Sequence, residues 1–119
     1  MGYLGIDGCR GGWCGVYIGG DETKLLIEKS IDLVLAPLND IKSVLIDIPI
    51  GLGSAGMTRD MDSVARKLLK PRQTSSIFTP PIREALDADS YKNACAINAK
   101  ISGKKISIQS WNISRKIVE

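Results

Sequence analysis

Apolar segments alternate with glycine-rich turns in the first third of the chain. Residues 3–6 and 13–18 are short runs rich in β-forming side chains, and the turn at residues 8–12 separates them. A second turn at residues 19–22 leads into the apolar run 24–28. These segments predict three consecutive antiparallel strands.

A fourth apolar segment, residues 44–48, contains a single carboxylate, Asp47. A continuous apolar run of this length is typical of a strand that is buried on both faces of a sheet. Residues 33–38, which precede it, predict a short helix that is broken near Pro37. We therefore expect a central fourth strand that pairs in parallel with the first.

From residue 61 onward the apolar spacing is that of helices. One stripe contains Met61, Val64, Ala65, Leu68 and Leu69. Thr58 or Asp60 can cap the start of this helix, and Pro71 marks its end. Two further helices are predicted at residues 91–101 and 108–117.

Strands followed by helices predict an α/β fold with a mixed sheet, in which the first and fourth strands are neighbours. The chain has 119 residues, which is a common size for one domain with one core. We expect a single domain spanning residues 1–119.

Composition excludes several kinds of chemistry. The chain contains no histidine, so Ser-His-Asp and Cys-His catalysis are excluded within one subunit. Cys9, Cys14 and Cys95 form no C-x-x-C pair and indicate neither a disulfide framework nor a zinc site, which fits a reducing cytoplasm. The best candidate for a membrane span, residues 43–52, is interrupted by Asp47 and is far shorter than the roughly 20 apolar residues required. No membrane association is expected.

Asp7 and Asp47 are the candidate catalytic and metal-binding residues. Each follows apolar residues of a predicted strand, and burying a carboxylate there is costly unless it is paired, hydrogen-bonded or metal-bound. Neighbouring strands would bring the two carboxylates together, and an all-oxygen site suits Mg²⁺ or Mn²⁺. The alternative is structural: Asp7 caps a turn and Asp47 accepts hydrogen bonds from the following backbone.

Two further patterns carry less information. Residues 51–56 match the dinucleotide fingerprint G-x-G-x-x-G, but Pro49 interrupts the turn and no acidic residue stands about 20 positions later, so we reject a dinucleotide site. A basic group is formed by Arg59, Arg66, Lys67, Lys70, Arg72 and Arg83. It suits phosphate contacts or, alternatively, is a solvated helix face, in a chain whose net charge is only +3.

Several segments together resemble the domain of unknown function 429 family, whose members are predicted ribonuclease H-like nucleases. The matching segments are residues 5–13 (GIDGCRGGW), 46–52 (IDIPIGL), 59–66 (RDMDSVAR), 72–78 (RQTSSIF) and 107–119. The resemblance implies a ribonuclease H-like mixed sheet with Asp7 and Asp47 as the first and second acidic residues of the site. It further implies a pocket formed by Arg10, Asp62, Arg66, Arg72 and Ser76.

The resemblance also implies that this chain is an incomplete, C-terminally truncated domain. Family members continue beyond the segment that ends at Glu119, and ribonuclease H-like nucleases take a further metal-binding carboxylate from a C-terminal helix. We therefore expect little hydrolytic activity, and we expect a homodimer because an open sheet edge and an uncovered sheet face invite pairing with an identical chain.

Three functions follow as hypotheses. The first is a metal-dependent nuclease or phosphodiesterase, in which Asp7 and Asp47 hold the metal and basic residues bind a nucleic acid or phosphate ester. The second is an ATP-dependent phosphotransferase or ATPase of the actin and sugar-kinase superfamily, in which the turn after Asp7 cradles phosphate. The third is a non-catalytic assembly module.

Overall fold

The computed structural model describes residues 1–119 and divides them into two compact units. The sheet unit contains Met1–Ile48 together with Glu119, and the helical unit contains Pro49–Val118. Each unit has its own cluster of buried apolar side chains.

The sheet unit is built from four strands and one short helix. In chain order these are β1 (Gly2–Cys9), β2 (Gly12–Gly19), β3 (Glu22–Glu28), α1 (Ile31–Leu35) and β4 (Ile41–Asp47). The strand order across the sheet is β3-β2-β1-β4. Both β1–β2 and β2–β3 are antiparallel, whereas β4 pairs in parallel with β1. The predicted α/β fold with a mixed sheet is confirmed.

The position of β4 differs from the prediction. It pairs with β1 alone and forms an edge of the sheet, so the expected central position is wrong. Val44 and Leu45 are exposed although they belong to the apolar run. The reason is that an apolar run indicates a strand without indicating how many neighbours the strand has.

One face of the sheet carries the core of this unit. Leu4 and Ile6 alternate with exposed residues along β1, and they pack with Trp13, Tyr17 and Val34. The helix α1 lies close against this face: a Cβ added to Gly15 would stand 2.7 Å from Cγ1 of Val34. Glycine at this position therefore allows the close approach of helix and sheet. We call this side the covered face.

The opposite side of the sheet is apolar and exposed. Because side chains alternate across a strand, the odd-numbered residues of β1 lie here together with their register partners. Its exposed apolar side chains are Tyr3, Val16, Ile18, Leu25, Ile27 and Leu45. We call this side the open face.

The helical unit contains the three predicted helices. They are α2 (Met61–Leu68), α3 (Tyr91–Ser102) and α4 (Ile108–Val118), with short 3-10 turns at Thr74–Ser76 and Arg83–Ala85. Ser90 caps α3 by accepting a hydrogen bond from the Asn93 amide, and Gly103 ends it in the left-handed conformation at φ 76°. The helix positions agree closely with the prediction. No helix of the chain combines the length and apolar character needed to cross a membrane.

The orientation of α2 is the reverse of the usual amphipathic arrangement. Its apolar stripe is exposed, and Leu68 has 80% of its surface accessible. Asp62, in contrast, is only 8% exposed. Polar contacts of Asp62 and Arg66 hold the helix in this orientation, so its apolar spacing predicted the helix correctly but not the side that packs.

The core of the helical unit combines apolar residues with one buried amide side chain that is fully hydrogen-bonded. Ala94, Cys95 and Ile106 form its buried cluster. The buried Asn98 side chain accepts a hydrogen bond of 2.9 Å from the Ile82 amide and donates one of 2.8 Å to the Lys104 carbonyl. Asn98 thereby ties the chain segments on either side of α3 to the helix.

Candidate functional site

Asp7 and Asp47 are direct register partners on the parallel pair β1 and β4. Each stands near the C-terminal end of its strand. Because paired residues of neighbouring parallel strands project to the same side, both carboxylates belong to the open face. The predicted parallel pairing is confirmed, and it brings the two acidic positions side by side.

Both aspartates are exposed. The expectation that they are embedded in apolar surroundings is therefore wrong, because β4 is an edge strand and this face is uncovered. Neither carboxylate makes a hydrogen bond or ion pair with another residue of the chain. The alternative in which they serve as turn cap and backbone acceptor thus finds no contact to support it.

Arg10 lies at the same end of the sheet unit as Asp7. It occupies the turn that connects β1 to β2, immediately after Cys9, and its side chain is exposed. Among the substrate-binding candidates, it is the one that shares a unit with the two aspartates.

Arg66, Arg72 and Ser76 belong to the helical unit. Nε and Nη2 of Arg66 donate hydrogen bonds of 2.9 and 2.6 Å to the carbonyl of Ile77. This contact places Ser76 beside the helix α2. Arg72 and Ser76 are exposed in the connecting loop. The structure therefore groups these three residues around one loop.

Asp62 forms an ion pair with Arg59, with 2.8 Å between Oδ2 and Nε. Nη1 of Arg59 also donates to the carbonyls of Ile50 and Gly51, the latter at 2.8 Å. Asp62, which the resemblance implies as a pocket residue, thus fastens the start of α2 to the segment at Gly51. Two members of the basic group, Arg59 and Arg66, contact backbone carbonyls, and Lys67, Lys70 and Arg72 are exposed.

Residues 5–119 match the family described as "Protein of unknown function (DUF429)". The chain belongs to this family. No curated protein and no solved structure matches it. The DUF429 match covers Asp7, Asp47 and every other candidate residue named above, and it extends over both units.

The DUF429 chain supplies two carboxylates to the site and no third ligand. No group of three or more histidine, cysteine or acidic side chains is placed to hold a metal. Glu119 is engaged elsewhere: its Oε2 accepts a hydrogen bond of 2.9 Å from Nε1 of Trp13, a wholly buried residue of the covered face. Its Oε1 accepts one of 2.9 Å from the Ile31 amide at the start of α1.

The donor set nevertheless fits a hard divalent cation. Mg²⁺ keeps several of its own water ligands and is commonly bound through one or two carboxylates. Asp7 and Asp47 provide two exposed oxygen ligands on the same face of adjacent strands. This arrangement suits Mg²⁺ or Mn²⁺ better than metals that prefer nitrogen or sulfur.

The site has a further neighbour that the sequence pattern did not single out. Cys14 is the register partner of Asp7 on β2 and therefore belongs to the open face beside it. Counting outward from the turn between β1 and β2 pairs these two positions, so the hairpin itself contained the signal.

Proposed function

We propose that this DUF429 protein is a divalent-metal-dependent phosphodiesterase of the cytoplasm that acts on a nucleic acid or a phosphate ester. One observation carries the proposal: Asp7 and Asp47 are paired at the ends of adjacent parallel strands, on one exposed face. Two carboxylates so placed concentrate negative charge where no other residue neutralises it, and a divalent cation is the partner that relieves this repulsion.

Mg²⁺ or Mn²⁺ bound by Asp7 and Asp47 would supply a Lewis acid and lower the pKa of a bound water. The chain's own contribution is to hold the two carboxylates on a hydrogen-bonded pair of parallel strands. Arg10, in the turn beyond Asp7, provides a guanidinium that can bind a substrate phosphate at this end of the sheet.

Arg66, Arg72 and Ser76 are proposed as further phosphate-binding residues. A guanidinium has five N–H donors, and two of those of Arg66 are used by Ile77. Arg72 and Ser76 are exposed in the same loop. A phosphate bound there would contact the remaining N–H groups of Arg66 together with the side chains of Arg72 and Ser76.

An ATP-dependent phosphotransferase is the second candidate. The turn between β1 and β2 follows Asp7 directly, and the space beside Gly11 is open, with no atom within 4 Å of an added Cβ. Backbone amides of such a turn can cradle phosphate. ATP should then raise the melting temperature of the protein in the presence of Mg²⁺.

Metal binding tests the leading proposal more directly than hydrolysis does, because a site with two protein carboxylates is expected to be a weak catalyst. Isothermal titration with Mg²⁺ and Mn²⁺ should show binding by the wild type, and Asp7→Asn or Asp47→Asn should weaken it by about tenfold or more. Asp21→Asn, an exposed change in the turn between β2 and β3, is the matched control and should leave the affinity unchanged. Equal affinity in all four proteins would refute the proposed site.

Hydrolysis of a chromogenic phosphodiester and of single-stranded RNA and DNA measures the activity itself. We expect slow turnover that requires Mn²⁺ or Mg²⁺ and is lost in Asp7→Asn. If both asparagine variants keep the activity, the hydrolysis takes place at another site or is due to a contaminant.

We propose in addition that the protein is a homodimer. The sheet has two open edges, β3 and β4, and one uncovered apolar face. Such surfaces are normally covered in a soluble protein, and a twofold dimer is the commonest way to cover them with an identical chain. If no dimer forms and no metal binds, these results favour the third hypothesis, a non-catalytic module that assembles with other proteins.

A further inference from the structure

The open face presents six exposed apolar side chains of the sheet unit. Its middle row runs across all four strands, from Leu45 through Gly5 and Val16 to Leu25. Leu45, Leu25 and Ile27 are 74%, 67% and 66% exposed. The face is therefore continuous from one edge of the sheet to the other.

The size of this face favours a protein partner. The six exposed apolar side chains together present on the order of 700 Å², which is close to the roughly 800 Å² that each partner contributes to a standard interface. It also exceeds the largest apolar patch of a typical monomer, about 300–600 Å².

The open face is recessed at its centre. Gly5 has no side chain, and an added Cβ there would have no atom within 4 Å. Leu45 and Val16 stand on either side of it as register partners. The face therefore has a groove over Gly5 between two apolar ridges.

The charges of the face favour one orientation of that second copy. Asp7 and Asp47 lie at one end, and Tyr3 and Ile18 lie at the other. A twofold axis parallel to the strands would place four carboxylates together at the same end. An axis perpendicular to the strands places the acidic end of each copy near the uncharged end of the other and avoids this repulsion.

We propose that the open face is the contact surface of a homodimer in which two sheets pack face to face with their strands antiparallel. This inference rests on the proposed homodimer and specifies its surface and orientation. Because Asp7 and Asp47 lie at the end of the face, each copy keeps its carboxylates at the rim of the interface, where a cation can reach them.

Light scattering after size exclusion, over a dilution series of the full chain, tests the surface. Wild type should be a dimer, and Leu25→Glu and Leu45→Glu should be monomers with unchanged far-ultraviolet circular dichroism. Leu33→Glu is the matched control: Leu33 is an exposed leucine of α1, outside the open face, and its substitution should leave the dimer intact.

Gly5→Val tests the groove without introducing a charge. A β-branched residue suits a strand, and the monomer has space for it, so the fold should be retained. In the antiparallel arrangement Gly5 of one copy lies opposite Gly5 of the other, so the added side chains fill the space between the sheets and the dimer should persist. A rise of the dimer dissociation constant by tenfold or more would show instead that Val16 of the partner occupies this groove, as the parallel arrangement requires.

Crosslinking tests the orientation. In the antiparallel arrangement, Cys14 of one copy lies near position 18 of the other, so Ile18→Cys should give a covalent dimer with a short bismaleimide. The wild type, whose Cys14 residues lie at opposite ends, should not. Efficient crosslinking of the wild type through Cys14 would overturn the antiparallel arrangement.

The outcomes separate this inference from the proposed function. If the dimer persists in both Leu25→Glu and Leu45→Glu, the protein is a homodimer but the open face is not its contact surface. A wild type that is monomeric at high concentration overturns both. Mg²⁺ titration of the Leu25→Glu protein reports on the aspartate site separately, since that change is two strands away from Asp7.

Discussion

Oδ2 of Asp62 accepts a hydrogen bond from Nε of Arg59 at 2.8 Å, and each of the two side chains is only 11% exposed. Arg59 extends the contact to the carbonyls of Ile50 and Gly51. The pair therefore holds α2 by its polar side, and it explains why the apolar stripe of that helix is exposed.

Replacement of Asp62 should destabilise the protein. Asp62→Asn removes the charge that compensates a largely buried guanidinium, and we expect a loss of about 2 kcal/mol in the free energy of unfolding. Asp60→Asn is the control, because Asp60 is exposed and makes no capping hydrogen bond; it should cost less than about 0.5 kcal/mol. Urea denaturation measures both. Equal midpoints in the two variants would contradict a stabilising role for the Arg59–Asp62 pair.

Replacement of Glu119 by glutamine should destabilise the protein. Both of its carboxylate oxygens accept hydrogen bonds, from Trp13 and from Ile31. In Glu119→Gln the amide nitrogen must face one of these two donors, so we expect a loss of about 1–2 kcal/mol. Glu22→Gln, at an exposed ion pair with Lys24, should cost less than about 0.5 kcal/mol. A double-mutant cycle with Trp13→Phe should show coupling, and additive effects would contradict the direct contact.

Glu84 should make stability depend on acidic pH. A hydrogen bond from the Ala55 amide, 2.8 Å long, lowers the pKa of Glu84 below its usual value of 4.5. Because the pKa in the folded state is depressed, the ionised carboxylate contributes stability above the unfolded pKa, and this contribution is lost as the pH falls through the folded pKa. The difference in unfolding free energy between wild type and Glu84→Gln should be constant near neutral pH and shrink below pH 4.5. If the difference in unfolding free energy grows as the pH falls, the lowered pKa of Glu84 is contradicted.

Two apolar truncations should separate a buried from an exposed position. Val34 is wholly buried between α1 and the covered face, and Val34→Ala should cost about 2 kcal/mol. Leu68→Ala removes more apolar atoms from the exposed stripe of α2 and should cost less than about 0.5 kcal/mol. Thermal and urea denaturation compare the two. A larger loss for Leu68→Ala would show that the stripe is covered in solution.

Local patterns were sufficient to predict most elements of this fold. Strands β1 and β2 follow from apolar runs around a glycine-rich turn, and α3 follows from helical spacing that ends at Gly103. The parallel pairing of β1 with β4, which places Asp7 beside Asp47, followed from the order of the predicted strands and helices along the chain.

Properties that depend on distant residues were not predictable in this way. The edge position of β4 depends on which strands are present to pair with it. The orientation of α2 depends on the contacts of Arg59 and Arg66 with carbonyls elsewhere in the chain. The spacing of apolar residues contains no information about these contacts. The exposure of Asp7 and Asp47 follows from the uncovered face, whereas the apolar residues before them in sequence predicted burial.

The contact between Trp13 and Glu119 spans 106 positions of sequence, and it has a consequence for biosynthesis. Translation proceeds at roughly 5–20 residues per second, so the segment Met1–Ile48 leaves the ribosome several seconds before Glu119 has been synthesised. During that interval the nascent sheet lacks the carboxylate that joins the Trp13 indole to the start of α1. The sheet unit therefore reaches its full stability only after the chain has been translated as far as Glu119.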